Sequence, residues 1–382
     1  MVRHLYVHIP FCVRRCSYCD FSIAVRKHVP GSEYVHAVLR ELELLRDSPT
    51  WQATDLETVY LGGGTPSLLA SEAIQMLLHG LVDPGLAARG QHTQPGTREV
   101  TLEANPEDVT PANATSWRSA GVNRVSLGAQ SFDDRVLQWM HRSHDAARIG
   151  EAVRTLRAGG IENVSLDLIF ALPDELQRDW GRDLDQALAL RPTHVSLYGL
   201  TVEPRTPLDR WISRGATKLP ADERYAEEYL RAHEKLSVAG YQFYEVSNAA
   251  RDNLRSRHNS AYWSGHPYLG LGPAAHSFDG RSRRWNIRAW DAYARAIAAG
   301  RSPIESEEVL TEEQRRLERV YLALRTDAGL PLTDYPANRL TALLEAGWVV
   351  EEGDRLRCTP EGWLRLDALV AKLFPTKGLS PS

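Results

Sequence analysis

Three of the chain's four cysteines, Cys12, Cys16 and Cys19, crowd into one short segment, Phe11-Cys12-Val13-Arg14-Arg15-Cys16-Ser17-Tyr18-Cys19, directly after a strand-like run at residues 4–9. A C-x3-C-x2-C loop with one remote partner, Cys358, is no disulfide framework; it favours metal in a reducing compartment. Three thiolates on one tight loop can hold three irons of a 4Fe-4S cube and leave the fourth open to a non-protein ligand. Zinc is the rival, since a structural site wants a fourth ligand and could recruit Cys358 or a histidine such as His8. Three inert buried thiols are the remaining reading.

The chain around this loop alternates strand-like and helical segments as far as about residue 246. Strands are expected at residues 4–9, 57–61, 99–103, 124–128, 164–170, 194–199 and 242–246, the pattern of repeated βα units around a parallel sheet. Val35, Val38, Leu39, Leu42 and Leu45 mark one helical face. A second helix through Ile149, Val153 and Leu156 stops at Gly159-Gly160, where a left-handed residue can close the last turn. Six or seven units are fewer than the eight of a closed TIM barrel. The expected fold is therefore α/β, an open, partial TIM-type βα barrel over residues 1–248 with its chemistry at the carboxyl ends of the strands.

Residues 249–285 are rich in glycine, proline and aromatics, and 286–382 read as a smaller, mostly helical, winged-helix-like domain. Its helices are expected at 314–324 and 336–346, with a hairpin over 347–359 around Gly353-Asp354. Residues 81–97 read as an irregular surface excursion dispensable for chemistry. Lys plus Arg total 45 against 49 acidic residues, so no basic surplus drives binding to a phosphate backbone. Nucleic acid is not expected as a partner, and the tail reads as a packing or lid module. No apolar run approaches the roughly 20 residues of a membrane-spanning helix. A cytoplasmic protein is expected, with peripheral membrane contact left open.

Polar groups punctuate the expected strand ends. Leu61-Gly62-Gly63-Gly64-Thr65-Pro66 follows the second strand, and successive glycines let backbone approach a ligand closely and offer carbonyls to an ammonium group. Glu103, Gln130 and Asp167 end or interrupt the next three. A buried acid among apolar strand residues costs several kcal/mol unless paired, by a cofactor hydroxyl or by a structural arginine or backbone amide. Three such ends meeting at one barrel mouth favour a ligand site.

The cysteine loop resembles the signature of the radical S-adenosylmethionine (radical SAM) superfamily, and the GGGTP turn stands where that family's pattern puts it. The resemblance implies a 4Fe-4S cluster on Cys12, Cys16 and Cys19. It also implies S-adenosylmethionine chelated through its amino and carboxylate groups and open to cleavage to a 5′-deoxyadenosyl radical, and an electron donor to the cluster. Over most of its length the chain is similar to the oxygen-independent coproporphyrinogen oxidase group, through Leu5-Tyr6-Val7-His8-Ile9-Pro10-Phe11-Cys12, residues 62–66, 103–106 and 127–131. Carried over by position, Tyr6, Tyr18, Gly62, Gly63, Gly64, Thr65, Glu103, Gln130, Arg142, Asp167 and Thr201 are the implied S-adenosylmethionine contacts.

Two departures point to the HemW branch of that group rather than to the decarboxylases. Asp20-Phe21 follows Cys19 where the oxidase carries a further cysteine, and His258-Asn259-Ser260-Ala261-Tyr262-Trp263 matches the branch's H-N-x-x-Y-W motif. The branch implies heme binding and transfer to heme-accepting apoproteins; the alternative is radical decarboxylation of coproporphyrinogen III in porphyrin biosynthesis. A neutral imidazole such as His258 can ligate heme iron, with Tyr262 and Trp263 offering flat faces and arginines pairing propionates. His276 is the second choice of ligand. The same motif could equally be a hydrogen-bonded turn packed against the barrel.

Overall fold

The computed structural model describes residues 2–51, 53–82, 98–334 and 337–373. Its first strand, β1 (Val2–Ile9), shows the two-residue alternation that positions everything else. Leu5, Val7 and Ile9 are fully buried on one face, where the helix Gly31–Leu44 contributes Tyr34, Val35 and Val38, and Tyr6 and His8 take the other face. From β1 the sheet grows in register through β2 (Ala53–Gly63), β3 (Glu99–Ala104), β4 (Arg124–Gln130), β5 (Asn163–Phe170) and β6 (His194–Gly199), each parallel to its predecessor. Helices Ser71–Val82, Pro111–Ser119, Ala146–Ala158 and Trp180–Ala189 make the crossovers after the first.

Local chemistry ends these helices as the residues dictate. Thr110 caps Pro111–Ser119 by accepting from the Asn113 amide, and proline fills the first turn, where its missing N–H costs nothing. Asp145 caps Ala146–Ala158 through the Arg148 amide, and Gly160, at φ 85°, takes the left-handed turn beyond it.

The strand expected at 242–246 is not a further βα unit. β7 (Gln242–Glu245) pairs antiparallel with β8 (Asn248–Ala250), which runs antiparallel beside β6. Two intervening residues allow a hairpin, whereas a parallel return needs a crossover of a dozen or more. The seventh parallel strand is instead β9 (Tyr268–Leu271), on the other side of β1 with Leu269 opposite Leu5. β10 (His276–Phe278), β11 (Ser282–Asn286) and β12 (Ile304–Val309) continue from it antiparallel. One twelve-stranded sheet, in the order β12-β11-β10-β9-β1-β2-β3-β4-β5-β6-β8-β7, thus takes in the segment 249–285, and its two end strands stay unpaired with each other. The barrel is open, as expected.

The buried carboxylate Glu41 clamps the β9 side to the helical layer. It accepts from the Gly272 amide at 2.8 Å, the Asn286 amide at 2.6 Å and the Tyr293 hydroxyl at 2.6 Å, while burial pushes its pKa up to about 7. At the carboxyl end of the chain, Glu312–Arg325 starts on a capping box of Thr311 and Gln314. Ala337–Glu345 and a hairpin of Val349–Glu352 with Arg355–Cys358 follow, Leu330–Pro331 adding a third strand. Cys358 is buried there and burial pushes its thiol up to about 12. Residues 83–97 of the expected surface excursion lie outside the described residues. No helix among the described residues is long and apolar enough to cross a membrane.

Candidate cofactor site at the barrel mouth

The cysteine loop leaves β1 at Pro10 and is fastened at both ends. The Ala24 amide donates to the Pro10 carbonyl at 2.7 Å and the Arg26 amide to the Cys12 carbonyl at 3.0 Å, so Phe11–Cys12 and Ala24–Val25 form a short parallel pair. Midway, the Leu208 amide donates to the Ser17 carbonyl at 2.8 Å. The loop is thereby folded over the carboxyl ends of the parallel strands, where open βα sheets place their ligands.

A cavity of about 400 Å3 lies beneath it, and Cys12, Cys16, Tyr18, Cys19, Gly63, Gly64, Thr65, Glu103, Gln130, Arg142, Asp167 and Thr201 all line it. Twelve of the fifteen candidate residues therefore meet at one mouth; Tyr6, Gly62 and His258 lie below it. All three cysteines are free thiols. Burial pushes the Cys12 thiol up and the Cys19 thiol up to about 11, so in the metal-free protein these two hold their protons until a cation displaces them. The Thr65 hydroxyl lies 3.4 Å from the Cys12 Sγ.

Arg142 brings a positive charge to the loop. Its Nη1 donates to the Cys16 Sγ at 3.6 Å, its Nη2 to Asn105 at 2.5 Å and to the Gly128 carbonyl at 3.1 Å, and its buried Nε has no hydrogen-bond partner among the described residues. The glycine turn works through space as much as through torsion. A Cβ on Gly64 would lie 2.8 Å from the backbone of Pro10 and Phe11, and one on Gly62 would lie 3.1 Å from the Glu103 carboxylate. Gly63 sits at φ 115°, which side chains rarely adopt.

Glu103 accepts from the Tyr60 hydroxyl and the Gly63 amide, both at 2.9 Å, and burial pushes its carboxyl up to about 7. Asp167, raised by burial too, accepts from the Ser126 hydroxyl at 3.0 Å. Gln130 lines the mouth at φ 67°, a costly conformation for a non-glycine residue. Thr201 is exposed and donates to Glu203 at 3.4 Å.

The raised Glu103 pKa has a testable sign. Its folded value exceeds the ordinary 4.5, so the folded protein pays for ionisation as pH rises through that interval, the full cost being present above 7. Glutamine carries no such charge and also relieves Asp167. The melting temperature of ligand-free Glu103→Gln should therefore gain on that of the unsubstituted protein between about pH 5 and about pH 8. A difference that stays flat over that range contradicts the assignment.

His258 is not presented as a heme ligand. The Thr58 hydroxyl lies 2.7 Å from its Nδ1 and the Tyr262 hydroxyl 2.8 Å from its Nε2, and the residue is 1% exposed. The ring packs between Tyr60 and Tyr262 at centroid distances of 5.1 and 4.8 Å, and burial, then His4, depresses its pKa to about 3. Both nitrogens are engaged, so a metal would have to displace the Thr58 or Tyr262 hydroxyl to reach either. The motif helix, Arg257–Trp263, is capped by Ser256 and anchored by the Glu99 carboxylate, which accepts from the backbone amides of Arg257 and His258, each at 3.1 Å. It closes the floor of the barrel.

Sequence reasoning missed Asn105, which orients Arg142, and Tyr198, which lines the mouth and is 48% exposed. The alternation along β6 was the available signal for Tyr198: it shares a face with Ser196, as Asp167 does with Ser165 across the register.

Comparison with known proteins bears on the whole chain. The model of the radical SAM superfamily matches residues 6–187, and that of the HemN C-terminal domain matches residues 310–365. A protein of Mycobacterium tuberculosis (strain ATCC 25618 / H37Rv) described as heme chaperone HemW is 38% identical over 379 residues, covering 97% of this chain and 94% of that one. The protein of the same description in Bacillus subtilis (strain 168) is 34% identical over 330 residues, covering 86% and 85%. Among solved structures, coproporphyrinogen III oxidase (HemN) from Escherichia coli superposes with a TM-score of 0.79 over 97% of this chain and 89% of its own; at 21% identity it shows the fold.

Proposed function

The chain belongs to the HemW heme chaperone family of the radical SAM superfamily, and from that premise we propose that it binds heme and passes it to acceptor apoproteins, holding a 4Fe-4S cluster and S-adenosylmethionine at the barrel mouth. The observation that carries the site is the convergence of three free thiols with two raised carboxyls and one arginine on a single cavity.

The residues fit these groups. Cys12, Cys16 and Cys19 would supply three thiolates, and Cys358 stands apart on the small carboxyl-terminal sheet. Among the described residues no three His, Cys, Asp or Glu side chains, the three cysteines included, close around a single point. What such a cluster supplies when bound is an electron and one iron without a protein ligand. The chain's own part is to bind and orient. Arg142 brings a positive charge and an N–H donor to the Cys16 Sγ, and Gly63 and Gly64, packed too tightly against His8 and against Pro10 and Phe11 for any side chain, bring bare backbone to the cavity wall for a ligand's amine. Glu103, Asp167 and Gln130 offer hydrogen-bond acceptors to the amine and hydroxyl groups of S-adenosylmethionine, with Tyr18 and Thr201 completing the wall. Tyr6 and Gly62 act one layer down, Gly62 by admitting the Glu103 carboxylate.

Anaerobic reconstitution followed by hemin titration and a coproporphyrinogen III assay on one sample tests the reading. Stoichiometric hemin binding without conversion to protoporphyrinogen is expected. Conversion at useful rates would transfer the chain to the decarboxylases despite Asp20-Phe21.

A further inference from the structure

The concave face of the sheet continues past the cysteine loop onto the strands beyond β1, and one imidazole there differs from those buried in the barrel. His4, His8, His144, His194 and His258 are buried, and in each at least one ring nitrogen, in all but His4 both, lies within hydrogen-bonding distance of a protein group. His276, at the start of β10, is exposed, and neither of its nitrogens has such a partner among the described residues. Its ring stacks on Trp285 directly across the strand pair, with centroids 5.7 Å apart and 24° between planes.

Register fixes which way this pair faces. His4 lies opposite Tyr268, and Tyr268 opposite Phe278, so His276, two residues from Phe278, shares the concave face with Tyr6 and His8. Partial burial, then Arg283 and Arg288, hold the imidazole pKa below 6.5, which leaves it neutral with a lone pair to donate. Arg283 is committed to Glu318, whereas Arg288 is exposed and makes no ion pair among the described residues. Arg288, whose charge reaches the His276 imidazole, also lines a neighbouring open groove of about 400 Å3 with Phe21, Ile23 and Trp290; Phe21 is 61% exposed and, like Ile23, borders the cofactor cavity as well. The Ser22 hydroxyl donates to the Arg288 carbonyl at 3.3 Å and the Ser22 carbonyl lies 2.9 Å from the His8 Nε2, so this groove is tied to the cysteine loop.

We propose that His276 is the axial ligand through which this chain holds an iron porphyrin, with Trp285 backing the imidazole, Phe21 offering a flat apolar face and Arg288 pairing a propionate carboxylate. The inference rests on the heme reading above and names its site. Coordination donates the imidazole lone pair to the iron and moves no electron or proton.

Hemin titrations of the anaerobically reconstituted, full-length protein, followed by difference absorption and electron paramagnetic resonance, test this. His276→Ala should weaken hemin binding about tenfold or more and change the spin state, and added imidazole should restore the original spectrum. Arg288→Ala should weaken binding without changing the spin state. His266→Ala, an exposed histidine stacked on His4 near the amino-terminal end of β1, should behave like the unsubstituted protein. Unchanged affinity and spectrum in His276→Ala, while the unsubstituted protein binds hemin, overturns this ligand alone. Failure of the unsubstituted protein to bind hemin overturns the heme reading with it.

Discussion

Cys16→Ser is expected to lose its iron almost completely, from about four atoms per chain after anaerobic reconstitution to near none. A three-thiolate site has no ligand to spare, and serine's hydroxyl does not ionise near neutral pH to replace a thiolate. Cys358 cannot substitute, because it is buried in the small carboxyl-terminal sheet with a thiol pushed up to about 12. Cys358→Ser should therefore keep the full iron content. Among the described residues Arg142 alone hydrogen-bonds the Cys16 Sγ through its side chain, so the fold should survive. The brown colour and broad visible band should vanish while the melting temperature of the metal-free protein stays within a few degrees. Retention of iron in Cys16→Ser, or its loss in Cys358→Ser, would show that other side chains complete the site.

Arg178→Ala should be the most destabilising single change away from the cavity, costing about 3–5 kcal/mol. The guanidinium is 1% exposed and donates to Glu228 at 2.6 Å and to the Ile169 carbonyl at 2.8 Å, with Asp183 at 3.6 Å. Asp183 in turn accepts from the Ser131 hydroxyl at 2.7 Å and the Phe132 amide at 2.8 Å, and Glu228 accepts from the Ala171 amide at 2.7 Å. One cation thus joins the ends of β4 and β5 to helices Trp180–Ala189 and Asp222–Val238. Without it, Glu228 would keep Arg224, which donates to its other oxygen at 3.1 Å, but Asp183 would lose the cation that offsets its burial, and its protonation would limit the damage at low pH. Denaturant unfolding should show a larger loss at pH 8 than at about pH 5. A loss under about 1 kcal/mol would mean that water or a neighbouring arginine takes over. Because Ser131 follows Gln130 and Ile169 lines the cavity, the variant should also weaken S-adenosylmethionine binding.

The strands and the cofactor mouth were legible because their signals are local. Short β-branched or Leu-rich runs between amphipathic helical segments marked β1 to β6, and three cysteines on one loop marked the site before any packing was known. What the sequence did not show depended on distant partners. The run at 242–246 reads like its predecessors, and only the two-residue link to β8 makes it an antiparallel edge. β9 carries four residues, too few to announce a parallel strand beside β1. His258 has a ligand's chemistry in sequence, but Thr58, two hundred residues earlier, occupies one of its nitrogens. Asn105 and Tyr198 matter through what they face, which β3 and β6 decide together.

The most direct test is electron paramagnetic resonance of the reduced, reconstituted protein before and after S-adenosylmethionine is added. An iron with no protein donor should bind the small molecule and give a changed signal. A signal indifferent to that addition, with full iron content, would mean that every iron is already capped by a side chain and would contradict the account.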